Sequence, residues 1–448
     1  MRLRTSLLLM AFVLATPLFA ANYVLTSPSW GAAEDAAVVA AGGSVHYSHR
    51  SGIAVVTADS PEFVNLATAS SRFQSVTEDI AVQWQLPTQV VEIEEAAATT
   101  PGNETFWNVQ WAPTSVNAEA AWNAGYTGAG VRVAILDGGI HSTHIDLAAN
   151  LDVARSTSMV PGFAFNQDVG TFWHGTHVAG IVAAADNNIG TIGIAPGATL
   201  IGVKVLHNGS GQFGWIISGI LYASDSIAEG GAGANIINMS LGATFPKGGA
   251  SGQLTGALAK AVNYAASKGV LVVSAAGNNG LDLGQAKSYT SVPAESGSGL
   301  AVSATGPLGW AAFGATNFRR PASYSNYGEG TVTVAGPGGD SALPGSAVCS
   351  KPRIPSGPAV VQFCWVFDMV FSTSRGAAAS TSSYSWAAGT SMAAPAASAV
   401  AALALQAHPG MSLGALKAKL KSSADDEGKK GVDEFYGHGF INAGKAVQ

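Results

Sequence analysis

Val131-Arg132-Val133-Ala134-Ile135-Leu136-Asp137-Gly138-Gly139 is the stretch on which the fold reading turns. A nearly continuous apolar run of strand length is the pattern of a strand buried on both faces. It ends in an aspartate and two glycines, where the chain must turn. Similar apolar runs recur at residues 199–206, 235–240 and 270–275, separated by helix-like stretches at 174–185, 215–228 and 254–268. Buried strands alternating with helices predict an α/β fold, a parallel sheet flanked by helices on both faces. In such folds working side chains gather at the carboxyl ends of strands. Asp137 stands at one such end. Asn278, in Ala275-Ala276-Gly277-Asn278-Asn279-Gly280, stands just past another. Taken singly, each is also an ordinary turn residue.

The composition narrows the class. Apolar residues make up 47% of the 448 and charged residues 11%, against about 25% charged in an average globular chain. The surface is therefore built largely from uncharged polar residues and glycine. A net charge of -6 speaks against a phosphate-binding surface, so no nucleic-acid partner is expected. Residues 1–21 read as an export signal, with Arg2 and Arg4, an apolar core at 7–15, Pro17 and then Phe19-Ala20-Ala21. That core is shorter than the ~20 residues that span a bilayer. A secreted product, extracellular or periplasmic, with no stable membrane anchor is expected.

Residues 22–84 carry signals of their own: a hairpin around Gly42-Gly43 and Gly52, a helix at 61–73 and a strand at 76–84. A unit of that size makes only a marginal core and suits a segment that folds against a larger partner. A small, polar linker follows at 96–103. The expected division is a signal at 1–21, a small α+β unit with a cleavable linker at 22–105, and the main domain at 106–448. Cys349 and Cys364 share one loop-like region of an exported chain and are expected to pair. A loop of about 15 residues closed this way is worth roughly 3 kcal/mol in the chain-entropy model.

Gly389-Thr390-Ser391-Met392-Ala393-Ala394-Pro395 places a serine after a glycine turn, at the head of a small-residue stretch. That suits a nucleophile at a helix start, and a serine hydroxyl needs a base and an orienter to act. His174, in His174-Gly175-Thr176-His177-Val178-Ala179-Gly180, is the candidate base. His174 and His177 could also share a helix face as metal ligands, but no third ligand lies nearby in sequence. Thr176-His177 is expected to buttress the helix start. Asp137, His174 and Ser391 follow one another in an order known for the Asp-His-Ser triad.

With these motifs in order, the chain resembles the subtilisin-like serine proteases, or subtilases, from about residue 125 to its end. Asn238-Met239-Ser240-Leu241-Gly242 and Tyr436-Gly437-His438-Gly439-Phe440-Ile441-Asn442 add to the match. The resemblance implies a serine endopeptidase in which Ser391 attacks, His174 shuttles the proton, Asp137 orients it, and Asn278 with the Ser391 amide holds the oxyanion. Ser240, Leu241 and Gly242 would pair with an extended substrate, and Ala275, Ala276 and Gly277 would form the opposite wall of the specificity pocket. Residues 22–84 would be an inhibitory propeptide that assists folding, and the enzyme a self-processing zymogen acting as a monomer on protein substrates. A structural calcium ion is also implied. Asp146, Asn187 through its side chain, and Ala185, Ile189 and Thr191 through their carbonyls would ligate it, a hard-oxygen set that suits calcium. The family's N-terminal amide ligand is not evident, since Trp107 falls near its place.

The chain departs from the pattern in three places. Gly138 replaces a serine or threonine and Ile145 a proline. Residues 338–368, which hold both cysteines, form an insertion expected near the active-site face, where it would limit access, meet the propeptide, or simply be a pinned surface loop. Two other readings compete. A catalytically silent copy of the fold is disfavoured because every triad and oxyanion residue is present. An α/β-hydrolase esterase is disfavoured because Ala393 replaces the last glycine of Gly-x-Ser-x-Gly and the histidine precedes the serine.

Overall fold

The computed structural model describes residues 20–84, 90–94, 104–167, 174–314, 316–354, 357–376 and 382–448, with backbone pairing alone for 90–94. Most of the export segment and all of the linker at 96–103 lie outside the described residues. The chain divides into two compact units, up to Glu78 and from Asp79 to Gln448.

The first unit runs βαββαβ, with strands Ala21–Thr26, Gly43–His49, Ile53–Ala58 and Ser75–Glu78 and helices Ala32–Ala40 and Phe63–Ala69. Its antiparallel sheet sets Ala21–Thr26 between Ile53–Ala58 and Ser75–Glu78. Alternate strand residues point to one face, so Tyr23, Leu25, Ala54 and Val56 close a core with Val38, Phe63 and Ala67 from the helices.

The strand expected at 76–84 is broken. Ser75–Glu78 stays in the first sheet, while Ala81–Gln83 pairs antiparallel with Ser210–Gln212. The break falls at Asp79. Its carboxylate accepts the Phe213 and Gly214 N–H groups, at 3.0 and 2.9 Å, at the head of helix Phe213–Ser224. A helix start leaves such donors without intrahelical partners. Asp79 supplies acceptors there, which a place in a strand ladder would not.

The second unit is built on seven parallel strands in the order Val334–Pro337, Leu300–Thr305, Leu271–Ala275, Ile236–Met239, Arg132–Asp137, Thr199–Lys204 and Thr157–Ser158. Helices flank this α/β sheet, as the apolar runs predict. Helix Thr390–Ala407 packs on the strands from Ile236–Met239 to Val334–Pro337. It is long and apolar enough to cross a membrane, yet its residues 390–404 are buried in the core. Alanine on most of its faces lets it sit close to the sheet. Pro395 lies inside this helix and has no N–H for the Ser391 carbonyl four residues back. The Ser240 hydroxyl donates to that carbonyl instead, at 2.7 Å.

Cys349 and Cys364 are joined, closing the hairpin Val348–Lys351/Val360–Phe363. The base of this insertion lies beside the Ser391 motif, where the Gly389 N–H donates to the Gly338 carbonyl at 3.0 Å. Its arm contacts the start of the main domain. The Ile354 N–H donates to the Thr105 carbonyl, the Asn108 side chain donates to Pro352, and the Arg353 guanidinium lies over the Phe106 ring.

Candidate active site

Strand Arg132–Asp137 lies between Thr199–Lys204, which follows it in the chain, and Ile236–Met239, to which the chain then crosses. The direction of winding reverses there, which in α/β folds is where ligands are bound, outside the carboxyl ends of the strands. Asp137 is the last residue of its strand and is 1% exposed. Its Oδ1 accepts the Gly138 N–H at 2.7 Å, which fixes the carboxylate. His174 is the first residue of helix His174–Ala183, and its Nδ1 donates to Asp137, 2.9 Å from Oδ1 and 2.8 Å from Oδ2. That bond sets the tautomer and leaves Nε2 as the basic nitrogen.

Lys204 pairs in register with Asp137 and is fully buried. Its ammonium donates to the Gly138 carbonyl, and to the Leu206 carbonyl at 2.6 Å, bracing the turn behind the carboxylate. A buried charge without such partners would be costly.

Ser391 is the second residue of helix Thr390–Ala407, and the His174 and Ser391 helices pack against each other. The Ser391 hydroxyl donates to the Ser240 carbonyl at 3.1 Å. Asn238 is buried and organises this corner, donating to the Ser240 hydroxyl at 2.9 Å and accepting from Ser398 at 3.0 Å. Asn278 is half-buried, and its Oδ1 accepts from Thr390 twice, from N–H at 2.9 Å and from the hydroxyl at 2.8 Å. With Oδ1 committed, the amide nitrogen is the half left to donate. Ala275 ends strand Leu271–Ala275, the Ala276 carbonyl accepts from Asn326, and the Gly277 N–H donates to the Thr390 hydroxyl. Ser240, Leu241 and Gly242 follow strand Ile236–Met239 and are buried. A side chain at Gly242 would reach within 4.0 Å of the Ala275 carbonyl, so the two predicted pocket segments border one space.

One edge that carries an extended strand here is Ser210–Gln212, paired with Ala81–Gln83, which the motifs did not point to. Trp84 extends the pairing, donating through its backbone N–H to Gly209 and through Nε1 to Gly211, and its ring packs on Phe213 and Phe245.

The model of the subtilase family matches residues 128–439, well over half of the chain. The chain belongs to the subtilase family. It is 36% identical over 357 residues to M-protease of Shouchella clausii (strain KSM-K16), covering 79% of this chain and 73% of that one. It is 36% identical over 343 residues to Subtilisin Savinase of Lederbergia lenta, covering 76% of this chain and 99% of that one. In fold it is similar to the epidermin leader peptide processing serine protease of Staphylococcus aureus, with a TM-score of 0.73 at 20% identity over 96% of this chain and 98% of that one. This subtilase is a serine endopeptidase, a hydrolase of peptide bonds.

A second polar cluster in this subtilase involves the residues expected to hold calcium. Asp146 is fully buried, and its carboxylate accepts from the Thr191 N–H at 2.8 Å and the Asn187 amide at 3.3 Å. Glu104 joins it, which motif reading missed. Its Oε1 accepts the Asn187 and Asn188 N–H groups at 3.0 and 3.1 Å, while its buried Oε2 has no hydrogen-bond partner. Burial pushes the Asp146 carboxyl up to about 7. It pushes Glu104 up to about 8, with Asp146 and Asp186 adding to the effect. No hydrogen bond among the described residues uses the Ala185, Ile189 or Thr191 carbonyls. Two buried carboxylates, one orphaned oxygen and three uncommitted carbonyls fit a hard cation. Glu104 had no sequence signal beyond a lone acid three residues before Trp107.

His177 buttresses more than a helix start. It is fully buried and donates through Nε2 to the Ser385 carbonyl at 3.0 Å. This ties the His174 helix to the hairpin Val370–Arg375/Ser382–Ala387. Burial, and to a lesser degree the nearby His174, lowers its pKa from 6.5 to about 3. The folded form therefore binds this proton more weakly than the unfolded form, so stability is present above about pH 6.5 and is lost as pH falls toward 3. Each tenfold change in proton affinity is worth about 1.4 kcal/mol, so the full transfer costs on the order of 5 kcal/mol. Urea unfolding is best compared in a Ser391→Ala background, which cannot digest itself. Between pH 7 and pH 4 the midpoint of protein that keeps His177 is expected to fall relative to that of His177→Gln protein, which keeps a donor, because the contributions of His144, Asp146 and Glu104 are common to both. A difference between the two midpoints that does not change with pH contradicts this assignment.

Proposed function

We propose that this subtilase is exported as a zymogen, cleaves itself, and then hydrolyses proteins through an acyl-enzyme on Ser391. The carrying observation is the His174 Nδ1 bond to Asp137, because it gives His174 a basic Nε2 and a stabilised imidazolium. Ser391 Oγ attacks the scissile carbonyl and passes its proton to His174. The oxyanion takes hydrogen bonds from the Ser391 N–H and the Asn278 amide, the latter held in place by Thr390. His174 returns the proton to the leaving amine, and water then releases the acyl group by the same base. The small residues Ala275, Ala276, Gly277 and Gly242 suggest a roomy, uncharged slot for the side chain before the cut.

The zymogen reading draws support from residues 21–78, which hold a core of their own. It draws more from Ala81–Trp84, which lies as an added strand on Ser210–Gln212. A segment held in that way is an inhibitor as well as a substrate, and self-cleavage is expected between about residues 88 and 107. Casein hydrolysis by the matured enzyme, blocked by a serine-directed fluorophosphonate, is the direct test. Matured protein that leaves casein intact contradicts the proposal.

Calcium belongs to this reading as a structural ion. Asp146, Asn187 and the carbonyls of Ala185, Ile189 and Thr191 would hold it, with Glu104 supplying a second carboxylate. Bound there, it would neutralise buried negative charge and pin the start of the main domain to the 185–191 loop. Chelation is expected to lower the melting temperature by about 6 °C, since a ligand present at a thousand times its Kd is worth about 4 kcal/mol and a domain of this size melts with an entropy of about 0.7 kcal/mol/K. An unchanged melting temperature in chelator removes the ion from the account.

A further inference from the structure

Residues 90–94 make a pairing that the catalytic reading does not use. Val90–Glu94 adds to hairpin Val370–Arg375/Ser382–Ala387 as a third antiparallel strand, in the register Ala387↔Val90, Trp386↔Val91, Ser385↔Glu92, Tyr384↔Ile93 and Ser383↔Glu94. Ala387 precedes Ser391 by four residues, so the paired strand begins close to the nucleophile in sequence and runs outward along the hairpin. On the other side of residues 85–89, the same chain pairs antiparallel with Ser210–Gln212. This edge follows the strand that lies in register with Asp137.

The Ser382–Ala387 edge is a fixed platform. Its far side is covered by Val370–Arg375. His144 and His177 donate to the Ser383 and Ser385 carbonyls at 2.9 and 3.0 Å. The Ser372 and Thr373 hydroxyls donate to the His177 and Thr176 carbonyls, each at 2.8 Å, which staples the hairpin to the His174 helix. A rigid open edge selects an extended chain through backbone hydrogen bonds and tolerates many sequences.

We propose that Ser382–Ala387 is the binding edge for the leaving-group side of the substrate, taking about five residues beyond the cut as an added antiparallel strand. This rests on the endopeptidase reading with Ser391 as nucleophile. Val90–Glu94 is the chain's own occupant of that edge, and protein substrates succeed it after maturation.

The test uses matured enzyme and quenched fluorescent peptides with one fixed sequence before the cut and two, four or seven residues after it. Expected is a rise in kcat/KM on the order of tenfold from two residues to seven, the scale of two or three net backbone hydrogen bonds. N-methylation at successive positions after the cut is expected to abolish the gain at alternate residues only, because strand pairing uses every second N–H. A kcat/KM independent of length, or an N-methyl effect without alternation, overturns the proposal while leaving the endopeptidase reading intact. Failure to cut any of the peptides overturns both.

Discussion

Ser391→Ala protein is expected to hydrolyse casein about a millionfold more slowly than the wild type while unfolding at a similar urea concentration. That scale is the loss seen in subtilisin, a relative of this chain, when its nucleophile is removed. The fold has little reason to change. Ser391 sits in the first turn of its helix, where alanine is a good helix former, and its hydroxyl makes one described hydrogen bond, to the Ser240 carbonyl. The bonds that hold the turn belong to neighbours: Asn278 with Thr390, the Gly277 N–H with the Thr390 hydroxyl, and Ser240 with the Ser391 carbonyl. The same variant is expected to keep its N-terminal segment in the absence of other proteases. Loss of that segment from the purified variant contradicts self-processing, and a turnover within tenfold of wild type contradicts Ser391 as nucleophile.

Gly175→Ala has the second-largest expected effect, and it acts through position alone. A Cβ at Gly175 would overlap the Gly139 carbonyl oxygen and lie 3.0 Å from the Asp137 Cβ and 3.1 Å from Asp137 Oδ1. The Gly139 atom is backbone and cannot rotate away. Either the turn after Asp137 or the head of the His174 helix must shift, and both ends of the Asp137–His174 hydrogen bond ride on those two pieces. A displacement of about 1 Å in catalytic groups can cost on the order of 100-fold in rate, and overpacking of a tight site costs about 1–3 kcal/mol in stability. The expected result is a kcat at least ~100-fold lower, a KM changed far less, and a lowered urea midpoint. Wild-type kcat in a Gly175→Ala protein contradicts the close approach described here.

Much of the candidate site was legible because its signals are local. Asp137 ends an apolar strand, Asn278 follows another, and His174 and Ser391 each open a helix of small residues. Element ends were less legible where tertiary bonds move them. Helix Phe213–Ser224 begins two residues earlier than its apolar pattern, because Asp79 from a distant segment accepts its first N–H groups. Helix Gly249–Ser267 begins five residues before the expected start, through Gly249, Ala250, Ser251 and Gly252, where intrinsic propensity alone would not extend it. Buried charges were the least legible. Lys204 showed only as a basic residue inside the run Leu200-Ile201-Gly202-Val203-Lys204-Val205-Leu206. Its role depends on the Gly138 and Leu206 carbonyls that the fold brings to it. Glu104 and Asp79 gave no periodic signal, since each acts on backbone donors from a remote loop or helix start. The insertion at 338–368 meets Gly389 at its base, but its arm reaches Thr105, Phe106 and Asn108, which chain order alone could not show.

Covalent labelling tests the central claim most directly. Matured enzyme treated with a serine-directed fluorophosphonate, digested and mapped by mass spectrometry is predicted to carry one adduct, on Ser391, and the Ser391→Ala protein none. An unlabelled Ser391 in fully matured protein, or an adduct on another serine with Ser391 untouched, would contradict Ser391 as the nucleophile poised by His174 and Asp137.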